Sequence, residues 1–283
     1  MSENELNGPV VVGIDGSRAA LFAAELAVDE AISRDVPLCL VHVTRTAVTA
    51  RSFVDEYRKD GQYAETVLRS AAAAIEGLGK PVEIDSVVLR GPPAEALIVE
   101  SRSASLVCVG TGRFAAAVLG STATELAEHA HCPVLVAQRP DADSSSEPTT
   151  LESPAAARSW NNLSQRWIAL SINGTDDNHR VADYAMREAH LRQLPVLAIS
   201  PWSHNLADGM HHELDRRIAC LREQYRDVHM YPVTTRSRIS RFIARCQEPI
   251  ALTVIGAAEW NQTARLCASS GGSGSSVLVV RHR

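Results

Sequence analysis

Lysine is almost missing from this chain. Only Lys59 and Lys80 stand among 28 basic residues, against 33 acidic ones, and the net charge is −5. That balance gives no overall attraction to nucleic acid or to an anionic membrane surface. The preference for arginine fits a GC-rich genome better than a binding surface. Long hydrophobic runs are also missing, so nothing reads as a bilayer span. The opening "MSENELNG" is polar and acidic, unlike a signal peptide. The six cysteines form no pair at metal-finger spacing, and Cys39 and Cys108 sit inside apolar runs as reduced core thiols. The expected setting is cytoplasmic, with neither nucleic acid nor membrane as partner.

What is present is ordinary globular material, 45% hydrophobic and 22% charged, in 283 residues. That length suits two domains. An internal repeat supports this. A shift of 158 positions carries Asp15-Gly16-Ser17 onto Asn173-Gly174-Thr175 and "AVDEAISRDVPLCLV" (27–41) onto "AMREAHLRQLPVLAI" (185–199) without a gap. Further on, "LVCVG" (106–110) matches "LTVIG" (252–256), and "PVLVAQR" (133–139) matches "SVLVVRH" (276–282). The expected division is a first unit over 1–140, a linker over 141–160 rich in Ser, Pro and acid, and a second unit over 161–283.

Within the first unit, strands are expected at Val10–Ile14, Leu38–Val43, Val82–Leu89, Leu106–Val109 and Val134–Ala137. Helical spacing runs through Arg18–Arg34, Ser52–Leu78, Pro93–Ser103 and Ser121–His129. Strands alternating with helices make an α/β chain of two tandem doubly wound parallel sheets. Such sheets bind ligands beyond the carboxyl ends of their strands. Two segments fall there. Ile14-Asp15-Gly16-Ser17 offers a carboxylate to a ligand's donors, or else Asp15 or Ser17 simply caps the next helix. Gly110-Thr111-Gly112-Arg113, with Gly120-Ser121-Thr122 opening the last helix, offers amides, hydroxyls and a guanidinium to an anion, or else makes an ordinary turn and cap.

Together, "VVVGIDGS", "PLCLVHV", "GPPAEALIVESRSASLVCVG", "GST" and "HCPVLVAQR" resemble the universal stress protein family across nearly all of the first unit. The resemblance implies a Rossmann-like fold of the adenine nucleotide alpha hydrolase type and an ATP site. Asp15 and the backbone of Val43 would hold the adenosine, and a G-x2-G-x9-G-[ST] loop the phosphates. Gly110 and Gly120-Ser121 fit the latter half of that pattern. Taken as its first glycine, Gly110 leaves the loop about three residues short, with Gly112 as replacement partner. The resemblance also implies a homodimer, through edge strands such as Val134–Ala137 or Val277–Val280, and a protein partner that reads nucleotide occupancy.

The second unit departs from this pattern. Asn173 replaces the aspartate, Pro201 stands where Val43 would, and "AAEWNQTARLCASSGGSGSS" offers no partner glycine at loop spacing. "SSGGSG" is a poor helix, each glycine costing about 1 kcal/mol against alanine. The unit therefore reads as structural or partner-binding. Elsewhere, His211-His212 with His204 read as a solvated helix start rather than a metal site. His42 reads as a satisfied core or crevice histidine, and Ser17 lacks the supporting groups of a nucleophile. No catalytic residue or metal ligand emerges. The rivals are slow ATP hydrolysis with bound Mg²⁺ and a nucleotide-free scaffold.

Overall fold

The computed structural model describes residues 7–44, 53–111, 121–138, 166–172, 178–201, 216, 218–237, 239–246, 249–260 and 275–281. They fall into two compact units, the first over 7–111 and 121–138, the second from 166 onward. The expected linker, Gly112, Arg113, Gly120, Asn173 to Thr175, the His204, His211 and His212 group and "SSGGSG" lie outside the described residues.

The first unit runs β1 (Val10–Gly13), α1 (Arg18–Arg34), β2 (Leu38–Thr44), α2 (Phe53–Glu76), β3 (Ile84–Arg90), α3 (Pro93–Glu100), β4 (Leu106–Thr111), α4 (Ser121–His129), β5 (Val134–Gln138). Its strands pair in parallel in the order β3-β2-β1-β4-β5. Helix α1 packs with α2, and α3 with α4, forming the two helical layers of a doubly wound sheet. Covered by those layers, Val10, Val12, Leu106, Val107 and Val136 are fully or almost fully buried, which is why these strands are apolar throughout. Strand β3 behaves differently. At the sheet edge its middle residues, Asp85 to Val88, are exposed, and it begins two residues later than Val82 because Val82 N–H turns back to the Lys80 carbonyl. Helix α3 stops at Glu100 rather than Ser103, its chain turning through Ser101, whose N–H bonds back to Leu97.

The second unit runs β6 (Trp167–Ser171), α5 (Asn178–Arg192), β7 (Val196–Pro201), α6 (218–224), β8 (Met230–Thr235), α7 (Ile239–Arg245), β9 (Ile250–Gly256), β10 (Ser276–Val280). The strand order is the same, β8-β7-β6-β9-β10, again parallel. Local details repeat at the shift read from the sequence. Helices α1 and α5 both end on a non-glycine residue in the left-handed region, Asp35 (φ 55°) and Gln193 (φ 54°). Both carry a buried ion pair one turn from that end, Glu30 with Arg34 and Glu188 with Arg192. At the other end, Ile14 N–H donates to Val41 and Ile172 N–H to Ile199, each at 2.8 Å.

Candidate functional site

In the first unit, strand order reverses between β1 and β4, where Gly13 pairs with Val109. The crevice beyond their carboxyl ends is the default ligand position in such a sheet. Ile14 and Asp15 leave β1 there. Asp15 is exposed, and its Oδ1 accepts the Ser17 N–H at 2.9 Å. Ser17 Oγ in turn accepts the Ala20 N–H at 3.1 Å from an extended backbone. Ser17 is therefore the N-cap of α1, and Asp15 is not. Asp15 instead shapes the turn before the cap with one oxygen. Its other oxygen, Oδ2, has no hydrogen-bond partner among the described residues. Gly16 sits between them at φ 86°, a backbone that side-chain-bearing residues adopt only under strain.

A second layer holds this turn. His42, buried in β2, donates its Nδ1–H to the Ile14 carbonyl at 2.6 Å. Its ring meets the edge of Tyr63 from α2 at a centroid distance of 5.9 Å, and a Cβ on Gly16 would lie 3.3 Å from the Tyr63 hydroxyl. Tyr63 is 59% exposed, so an aromatic face stands open beside the Asp15 turn. Nothing in the spacing of α2 singles out Tyr63; only the packing of α2 over β2 brings it here. Val43 lies next along β2. Leu38 N–H donates to Glu83 and Gly91 N–H to Thr44, so ladder parity turns the Val43 peptide groups away from β3, toward the point where β1 has stopped.

Gly110 has a packing part that its spacing does not suggest. A Cβ there would lie 2.2 Å from both the carbonyl carbon and the oxygen of Ala19. Its small size lets the first turn of α1 rest on the end of β4, which is what brings the Asp15 turn beside β4. Helix α4 follows β4 and leads to β5, so its first turn, with Ser121 exposed and Thr122 half-buried, starts at this same end of the sheet. The structure thus gathers Ile14, Asp15, Val43 and Gly110 at one end of the sheet. Gly112, Arg113 and Gly120, which would join β4 to α4, lie outside the described residues.

The matching end of the second unit is built otherwise. Its strand order reverses between β6 and β9. Ser171, at the end of β6, donates to Glu259 Oε1 at 2.7 Å, so a carboxylate from beyond β9 spans this reversal. Glu259 belongs to a short 3-10 turn, Ala257–Glu259, that leads directly into fully buried Trp260. Pro201 replaces Val43 at a place where the ladder faces β6 and where proline has no N–H to give. A Cβ on Gly256, the counterpart of Gly110, meets no described residue closer than a Val181 methyl at 3.7 Å.

Among the described residues no cluster of side chains could hold a metal ion, and no helix is long and apolar enough to cross a membrane. Comparison with known proteins agrees with this architecture. The pattern of the universal stress protein family matches residues 7–138. Universal stress protein Rv2624c of Mycobacterium tuberculosis is 41% identical over 280 residues, spanning 96% of each chain. Universal stress protein Rv3134c of the same organism is 33% identical over 296 residues, covering 99% of this chain and 98% of its own. In fold, the chain is similar to the crystal structure of a universal stress protein from Archaeoglobus fulgidus. That match has a TM-score of 0.69 at 14% identity and covers 99% of both chains.

Proposed function

Since the chain belongs to the universal stress protein family, we propose that its first unit binds an adenine nucleotide, ATP, at the carboxyl ends of β1, β2 and β4. Occupancy then acts as a regulatory signal in a stress response. The observation that carries this reading is the Asp15 turn. A carboxylate stands at the switch point with one oxygen spent on Ser17 N–H and the other unpartnered among the described residues. Adenosine supplies hydroxyl and amino donors, and an ionised acceptor bonds them roughly twice as strongly as a neutral one. The Val43 peptide group faces the same crevice, and the exposed ring of Tyr63 gives the base a wall. Gly110, Gly112, Arg113, Gly120, Ser121 and Thr122 would receive the phosphates, using the start of α4 as an anion site. Bound Mg²⁺ would screen the phosphate charge. Binding rather than turnover is the proposed activity.

The test is a fluorescence titration of the full chain with N-methylanthraniloyl-ATP. Asp15→Asn keeps the turn's shape and removes the charge, and weakens binding about tenfold or more. Val43→Pro introduces the residue the second unit already carries and weakens it similarly. Affinity unchanged in both variants would remove the site from this crevice.

A further inference from the structure

The second unit carries a groove at the opposite end of its sheet, where the amino ends of β6, β7 and β8 meet the end of α5. Its volume is about 480 Å³, enough for a small organic molecule or one long side chain. Trp167, His190, Gln193, Asp227, His229 and Tyr231 supply its aromatic and polar lining. The repeat makes this groove informative. Shift and register place Pro9, Ile32, Pro81, Glu83 and Asp85 of the first unit at the positions of Trp167, His190, Asp227, His229 and Tyr231. One copy thus has two prolines, an aliphatic residue and two acids where the other has two aromatic rings, two imidazoles and a carboxylate. The fold does not require that set, because the first unit keeps the same strand order without it.

The chemistry of the lining is specific. Trp167 packs partly on the core of Ala169, Leu197, Ile199, Ile243 and Ile250, and its ring meets that of Tyr231 at 5.1 Å and 79°. Tyr231 is 52% exposed, a large apolar side chain left open to solvent beside that ring. His190 donates its Nδ1–H to Asp227 Oδ2. This bond holds the Asp227 carboxyl below the usual carboxylate range, so it stays ionised, and in the neutral imidazole it leaves His190 Nε2 as the acceptor. The last turn of α5, with the negative end of its dipole, forms another wall. No lysine or arginine is among the lining residues. The groove therefore offers a carboxylate, imidazole acceptors and two π faces, with no positive group of fixed charge.

We propose that this groove is a second ligand site, distinct from the nucleotide crevice, and that it takes a donor-rich organic cation, a guanidinium or an ammonium. The cation's N–H groups bond Asp227 and His190 Nε2 while its charge lies against the rings of Trp167 and Tyr231. A free amine and an arginine side chain of another protein share this chemistry, and the test separates them.

The experiment is calorimetric titration of the full chain at pH 8 with agmatine, with the peptide N-acetyl-Gly-Arg-Gly-amide, and with benzamide as an uncharged control. Agmatine or the peptide saturates one site per chain, and benzamide binds at least about tenfold more weakly. Tighter binding of the peptide assigns the site to a protein-borne arginine; tighter binding of agmatine assigns it to a free amine. Asp227→Asn and Tyr231→Ala, both at half-exposed side chains, each weaken the cation about three- to tenfold with an unchanged thermal midpoint, and Asp15→Asn leaves it unaltered. Benzamide binding as well as agmatine, no saturation by either cation below about 10 mM, or wild-type affinity in Asp227→Asn would each overturn the proposal.

Discussion

The carboxyl ends of the two sheets differ although the sheets themselves do not. In the first unit β1 gives way to a glycine turn with a carboxylate beside it, and the turn is held from behind by His42. In the second, Ile172 keeps the same backbone bond to β7, but Ser200 stands where His42 would, Pro201 removes a donor, and Glu259 reaches across to Ser171. A carboxylate laid across the crevice repels an anionic nucleotide. The comparison separates what the fold needs from what a ligand needs. Helix ends, buried ion pairs and strand register persist in both copies, while the groups facing the crevice are replaced in one. The second unit has not become featureless, since its opposite end gains the groove around His190 and Asp227.

The sharpest way to break this comparison is at the paired glycines. Gly110→Ala drives a methyl into the Ala19 backbone, so it must push the first turn of α1 off β4. The expected loss is about 3 kcal/mol, and nucleotide affinity falls with it because the Asp15 turn rides on that helix. Gly256→Ala, whose added methyl meets only a Val181 methyl at ordinary contact distance among the described residues, changes stability by less than about 1 kcal/mol. Denaturant midpoints of the two variants decide the matter, and equal losses would mean that α1 and α5 are seated alike.

Ser17→Ala comes next in size. Loss of the bond to the Ala20 N–H costs about 1 kcal/mol, read as a lowered thermal midpoint. Nucleotide binding weakens less than in Asp15→Asn if the cap and the ligand carboxylate are separate roles.

The smallest effect is alkaline. Burial first, then the charges of Asp85 and Glu100, push the Cys39 thiol from 9.0 up to about 11. A folded value above the unfolded one contributes stability that is complete below the unfolded value and is lost as pH rises through the folded one. Stability therefore declines between about pH 9 and pH 11. Leu197 occupies the corresponding place in the second unit, so the decline belongs to the first. Iodoacetamide labelling followed by pH checks it, with exposed Cys220 reacting well before Cys39.

Much of the fold was legible in residue order. Arg18–Arg34 and Ser121–His129 match α1 and α4 end to end, because a serine, as cap or first residue, and a change of pattern mark their limits. The apolar runs of β1, β4 and β5 announce burial on both faces, whereas β3 was placed two residues early because an edge strand need not be apolar. That Asp15 and Val43 lie at the carboxyl ends of β1 and β2 could be read, but the division of labour between Asp15 and Ser17 could not. Whether Asp15 or Ser17 caps α1 depends on hydrogen bonds that either residue type can make. That Gly110 also has a packing role was not legible, since a close approach by Ala19 leaves no trace in sequence spacing. Tyr63 and the Ser171–Glu259 bond join segments 48 and 88 positions from their partners, Asp15 and Ser171, and only the tertiary fold connects them.

The central claim is that one unit binds nucleotide and its sister does not. Quantifying the nucleotide that co-purifies with the full chain, by mass spectrometry of wild type and Asp15→Asn, tests it most directly. The expected content is at most one adenine nucleotide per wild-type chain, with a fall of about tenfold or more in the variant. Two per chain, or equal content in both proteins, would contradict it.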